Sequence, residues 1–194
     1  MLMSNTTRRV LLTVLLTCGS LALALSVRAQ APAPAVSEQA LKAVLFYKLP
    51  LFTYRERDVR GGVLTLCALG RTQLDEALRN LAESDEREQP DPRANGLARR
   101  FQVLAGVEEI AECAFVFVGR SEAARLGPLL AELARPGLVT VSDIRGFARA
   151  GGMVELALRG RGEGLAIVIN RRAARDAGVE FMAQLLRLAE VIDE

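Results

Sequence analysis

The stretch CAFVFVG, residues 113–119, is an unbroken apolar run closed by a glycine. Its length and its β-branched and aromatic side chains suit a strand better than a buried helical turn. Successive side chains of a strand point to opposite faces, so a run with no polar alternate must be covered on both sides. Such a strand belongs inside a sheet that has helices above and below it.

Reading outward gives the rest of the frame. Upstream, Val107 to Glu112 reads as a helical turn and Phe101 to Leu104 as a strand. GGVLTLCALG, residues 61–70, is another apolar strand between glycines. Thr72 with Asp75 three residues on is similar to a capping box with Asp in place of the usual Glu. Leu74, Leu78 and Leu81 then form one helical face. SDEREQPDPRAN, residues 84–95, reads as a solvated loop. Ser37 is placed to cap a helix carrying Leu41, Val44, Leu45 and Leu49 and ended by Pro50. Downstream, Ser121 caps a helix through Leu133, and GLVTVSD, residues 137–143, is a fourth strand. Met153 to Leu158 and Leu165 to Ile169 are strands joined by the glycine-rich hairpin RGRGEG, residues 159–164. Helical spacing returns with Met182, Leu185, Leu186 and Ala189. Strands alternating with helices predict an α/β fold: a three-layer sandwich around a mainly parallel sheet, with an antiparallel C-terminal hairpin at one edge. Residues 37–194 are enough for a single domain with one sizeable core.

The N-terminus has a different character. Arg8 and Arg9 precede an apolar run from Val10 to Leu25, and Val27-Arg28-Ala29 offers small residues where a signal peptidase cuts. Residues 1–29 therefore read as a signal peptide cleaved near Ala29, and QAPAPAV as a disordered leader, residues 30–36. An uncleaved anchor and a lipoprotein cut before Cys18 are the other readings of this segment. The apolar run continues past Cys18, which argues against the second. Export to the periplasm is the expectation.

Export changes the charge argument. The whole chain carries 25 basic and 23 acidic residues. Arg8, Arg9 and Arg28 leave with residues 1–29 and no acid does, so 22 face 23 and the net charge becomes −1. With no basic surplus, 5% aromatics and no Trp, nucleic-acid binding has no support. Cys67 and Cys113 remain as an even pair in an oxidising compartment, either bridged or as two separate buried thiols. In a flavodoxin-like strand order with Val63 level with Ala114, they would lie on the order of 15 Å apart. A bridge then needs a staggered register, or Cys113 on an extension of its strand.

Chemistry is limited by one absence: the chain has no histidine. Ser-His-Asp and Cys-His catalysis are excluded, and the commonest metal ligand is missing. The cysteines are not in a C-x-x-C arrangement. Gly160, Gly162 and Gly164 join two strands, not a strand to a helix, so they make a turn and no phosphate loop. Glu108, Glu109 and Glu112 read as a solvated face. Neither an enzyme, nor a cofactor, nor a metal site is expected.

VLTLCALG, AECAFVFVG, LVTVSDIRGFARAGGMVEL and LAIVINRRAARDAGVEFMAQLLRLAEV follow in this order between Leu41 and Val191. Together they resemble the YfiR family of small periplasmic proteins, the YfiR/HmsC-like group. The match is densest at Gly151-Gly152-Met153, Asn170, Ala177-Gly178 and Gln184 to Ala189. The chain departs from the family in KLPLFTYRE, which lacks the usual aromatic-proline step, and in Met182-Ala183, where a serine pair is usual. It also lacks a second cysteine pair.

The resemblance implies a function. Such proteins repress a membrane-bound diguanylate cyclase by binding its periplasmic sensor domain, which lowers cyclic di-GMP and biofilm formation. Release by an outer-membrane lipoprotein, homodimer formation and a stabilising Cys67–Cys113 disulfide are implied in the same way. Candidate partner-binding residues are Phe147, Met153, Glu155, Gln184 and Arg187; Met153 and Leu185 are read more readily as core, and Gln184 and Arg187 equally as packing on another subunit. The competing class is a periplasmic small-molecule sensor without a cyclase partner, using the crevice at the strand carboxyl ends. A structural envelope protein is a third.

Overall fold

The computed structural model describes residues 37–55, 62–87, 98–158 and 164–193. The expected signal peptide, the Pro/Ala leader, most of the charged loop and the RGRGEG turn lie outside the described residues.

Helix α1 (Glu38–Lys48) begins where expected, with Ser37 Oγ accepting the Ala40 N–H at 3.1 Å. Its buried stripe is Lys42, Ala43, Phe46 and Tyr47. Leu41 and Val44, expected in the core, are 39% and 40% exposed. Two aromatic rings bury more surface than two aliphatic side chains, and they decide which side of the helix faces inward. Pro50 turns the chain into a 3-10 helix, Leu49–Phe52.

Nine strands follow among the described residues: β1 (Thr53–Arg55), β2 (Val63–Leu69), β3 (Ala98–Leu104), β4 (Phe115–Val118), β5 (Val139–Ser142), β6 (Val154–Leu158), β7 (Leu165–Asn170), β8 (Val179–Phe181) and β9 (Glu190–Ile192). β1 and β8 form a small antiparallel ribbon. The others make one sheet in the order β3-β2-β4-β5-β6-β7-β9. Only β6–β7 pair antiparallel in it. The helical segments are α2 (Asp75–Arg87), 3-10 helices Val107–Glu112 and Arg120–Arg125, α3 (Leu126–Glu132), α4 (Arg171–Asp176) and α5 (Ala183–Leu186).

The two-sided strands build two cores. Leu64, Leu66, Phe115, Phe117 and Val141 pack against Phe46 and Tyr47 of α1, Leu78 of α2 and Leu74 just before it. Phe46 and Phe117 meet edge to face at 5.6 Å. On the opposite face Cys67, Leu69, Val116 and Val118 pack against Ile110, Leu129, Leu133 and Phe147. This is the expected three-layer α/β sandwich with its hairpin at β6–β7. At the rim of the first core, Tyr47 donates to Asp85 at 3.0 Å, and Arg99 donates to the same carboxylate oxygen. Burial, and then that carboxylate, push the Tyr47 hydroxyl well above the usual tyrosine range.

Local expectations differ in four places. Ser84 to Arg87 continue α2 instead of starting the loop. The Thr72 hydroxyl accepts from Leu74 N–H, two residues on, so α2 starts later than a box anchored at Thr72 requires. Ser121 caps nothing; its oxygen accepts the Arg71 N–H from a neighbouring loop at 2.8 Å. Finally, the helical spacing from Met182 to Ala189 yields only the short α5, set between β8 and β9. Val179 and Phe181 bury on one side as a strand paired with β1, and only one helical turn follows. β9 lies parallel to β7, so the hairpin sits one strand in from the edge.

Cys67 and Cys113 are bridged, with Cα atoms 5.9 Å apart. The register is staggered by two residues from the simple alignment: Thr65 C=O, not that of Val63, accepts the Ala114 N–H. Leu66 then pairs with Phe115. Cys113 precedes β4, at the end of the 3-10 helix Val107–Glu112, and the bond ties that helix to β2. The cysteines are 46 residues apart, for which the chain-entropy model gives about 4 kcal/mol. Replacing both with alanine is expected to lower unfolding free energy by roughly 3–4 kcal/mol in urea titrations. A loss below about 1 kcal/mol would show that packing alone holds the 3-10 helix.

Candidate functional site

The sheet has a switch point at β2. The chain leaves β2 through α2 to β3 on one side, then returns through the 3-10 helix Val107–Glu112 to β4 on the other. Loops leaving the carboxyl ends of two such strands part from each other, which opens a crevice. Here the loops are Gly70-Arg71-Thr72-Gln73 after β2 and Gly119-Arg120-Ser121-Glu122 after β4. Each places an arginine and a hydroxyl residue directly after a glycine.

Those glycines shape the opening. Gly70 has φ +77°, a conformation that side chains disfavour. A Cβ on Gly119 would strike the Arg71 carbonyl. The loops are therefore close, and two bonds lock them: Gly119 N–H to Leu69 C=O at 2.8 Å, and Arg71 N–H to Ser121 Oγ at 2.8 Å. Ser142, at the end of β5, donates to Val118 C=O at 2.7 Å.

The crevice measures about 470 Å³ and is lined by α1 and by the loops after β2, β4 and β5. Lys42, only 2% exposed, reaches it from α1. Its ammonium pairs with Asp143 at 2.8 Å and with Glu38. Arg120 also pairs with Asp143, at 2.9 Å. A buried ammonium must be compensated in this way, because leaving it unpaired costs several kcal/mol. Burial pushes the Glu122 carboxyl up, but hydrogen bonds from Arg125 and Ser121, with the charges of Arg125 and Arg71, hold it below the ordinary glutamate range.

The residues expected to meet a partner separate into two groups. Phe147, Met153 and Glu155 are buried, which corrects the expectation that they form a surface. Phe147 belongs to the second core. The Met153 N–H donates to Thr140 Oγ1. Glu155 accepts the N–H groups of Gly146 and Ala148, at 3.1 and 3.2 Å, and Asn170 donates to Ala148 C=O. A buried carboxylate holding backbone donors is a loop clamp, and it fixes the β5–β6 connection. Gln184 and Arg187 do lie at the surface. Gln184 lines an apolar groove of about 160 Å³ with Leu45, Leu49, Phe52, Leu156 and Leu188. Leu188 is 70% exposed. Among the described residues no group of His, Cys, Asp and Glu could hold a metal.

The sequence places a crevice at the strand carboxyl ends, as the site of the sensor reading, but singles out none of the residues that line it. Their signal is Gly-Arg followed by Thr or Ser after two strands that are parallel neighbours in the sheet, and each copy alone looks like an ordinary turn.

A family model described as YfiR/HmsC-like matches residues 39–190. The chain belongs to the YfiR/HmsC-like family. The match runs from α1 to the start of β9. The family comprises periplasmic regulators of diguanylate cyclases and is regulatory, not catalytic. No helix among the described residues is long and apolar enough to cross a membrane. No curated protein matches the chain. Among solved structures, a conserved domain protein from Vibrio cholerae O1 biovar El Tor aligns with a TM-score of 0.50 and 12% identity, over 80% of this chain. The ABC domain in complex with L-Trp from Streptococcus pneumonia aligns with a TM-score of 0.47 and 14% identity, over 79% of this chain. This chain spans 60% of the length of each. The first likeness shows the fold alone; the second carries no argument.

Two outcomes test the crevice as built. Lys42→Met leaves Asp143 with Arg120 alone and is expected to cost about 1–3 kcal/mol in denaturant unfolding. A neutral result would mean that Lys42 contributes only its stem. Glu122, with its lowered pKa, stabilises the fold fully above the ordinary glutamate value of about 4.3. That contribution is lost as pH falls through the lower folded value. Glu122→Gln is therefore expected to flatten the acid limb of a stability–pH curve; an unchanged limb would place the acid sensitivity elsewhere.

Proposed function

We propose that this chain is exported with cleavage near Ala29 and represses a membrane-bound diguanylate cyclase by binding its periplasmic sensor domain. The supporting observation is the family match over residues 39–190. A repressor needs no reacting groups, only a surface that binds the inactive state of its target better than the active one. Moving a two-state target from mostly active to mostly inactive takes a preference of about 5.5 kcal/mol. A desolvated apolar anchor with a polar rim supplies energy of that order. The groove beside Gln184, with exposed Leu188 and the nearby Arg187, has that character. It is the proposed contact surface. Homodimerisation and release by an outer-membrane lipoprotein belong to the same reading.

A second reading, a small-molecule sensor acting without a cyclase, is favoured by the volume and charge of the crevice.

The experiment is cellular cyclic di-GMP in a strain lacking the gene, complemented with the wild type or with Leu188→Asp/Arg187→Glu. Loss of the gene is expected to raise cyclic di-GMP several-fold, the wild type to restore it, and the surface variant to fail at equal protein level. No rise under several growth conditions would overturn the repressor reading. Full restoration by the variant would move the contact surface elsewhere.

A further inference from the structure

We propose that the crevice at the carboxyl ends of β2 and β4 binds a small organic anion, its phosphate or carboxylate head held between Arg71 and Arg120. The charge inventory points that way. Lys42, Arg71 and Arg120 face Glu38 and Asp143, a surplus of one positive charge. Both carboxylates are engaged, Glu38 by Lys42 and Asp143 by Lys42 and Arg120. A cationic ligand would find no free partner. Arg71 is exposed and makes no ion pair or side-chain hydrogen bond among the described residues; its charge acts on Glu122, but that carboxylate is already paired with Arg125. Arg120 is 65% exposed and keeps donors beyond the one given to Asp143.

The site is built, not incidental. A buried lysine forms part of its wall, and its partner Asp143 orients one of the two arginines toward the opening. The tight approach at Gly119 and the Arg71 N–H bond to Ser121 hold the two arginine-bearing loops in fixed register. Preorganised loops lose little freedom on binding, and a guanidinium can give two parallel N–H bonds to two oxygens of a carboxylate or phosphate. The space of about 470 Å³ accepts a head group with a body attached, well beyond a bare ion. The apolar groove shares only α1 with the crevice and uses other residues of that helix, so an anion and a protein partner would occupy separate surfaces.

The test is thermal denaturation of the purified protein in increasing inorganic phosphate, glycerol phosphate, succinate or chloride at constant ionic strength. A saturable rise in melting temperature is expected with glycerol phosphate or succinate and none with chloride. Inorganic phosphate separates a site for the bare head from one that also needs the organic body. Arg71→Ala/Arg120→Ala, at exposed positions, is expected to melt as the wild type does in chloride and to weaken binding at least tenfold. Arg135→Ala/Arg145→Ala, equally exposed and outside the crevice, is expected to bind as the wild type does. No saturable rise with either organic anion, an equal rise in chloride, or binding unchanged by the crevice variant would overturn the proposal. No cyclase takes part, so this result and the cyclic di-GMP result can fail independently.

Discussion

The central strands of this protein are apolar on both faces, and no single layer can shield them. Leu66 and Phe117 need α1 and α2 on one side, while Cys67 and Val116 need the 3-10 helix, α3 and the Phe147 loop on the other. Each covering layer must therefore be supplied by the connections between strands, so the connections alternate sides. That alternation forces the sheet to grow in both directions from β2. The crevice at the carboxyl ends of β2 and β4 is thus a geometric by-product of burying both faces of one strand.

The covering layers are unequal. The α1/α2 side buries two large aromatics of α1 and a full helical face. The opposite side depends on the short α3 and on the 3-10 helix Val107–Glu112, whose tighter turns have poorer hydrogen-bond geometry and which buries only Ile110. The Cys67–Cys113 bond joins the sheet to this weaker layer. A covalent tie is most useful where non-covalent packing is thinnest. Glu155 serves the same layer by a different means, holding the backbone of the Phe147 loop through its carboxylate.

Two surfaces of opposite chemistry result. One is a charged crevice formed where strands diverge, its arginines set by backbone bonds between neighbouring loops. The other is an apolar groove where α1 meets the C-terminal turn, flanked by Gln184 and the exposed Leu188. A regulatory protein can use both, because binding at either changes free energy without any bond being made or broken.

The amino-acid sequence by itself determined the layered α/β class, the two-sided strands, the Ser37 cap, the absence of histidine chemistry and the family. These follow from local pattern and composition, which need no knowledge of neighbours. Only the tertiary structure decided which stripe of α1 is buried, because Leu41 and Phe46 both suit a helix and only competition for the core separates them. It also decided that Val179 and Phe181 form a strand, since their partner, β1, lies far away in sequence. The two-residue stagger that brings Cys113 to Cys67 belongs to the same class. So does the meeting of Arg71, Arg120, Lys42 and Asp143, which arises from backbone register across separate strands and leaves no periodicity to read.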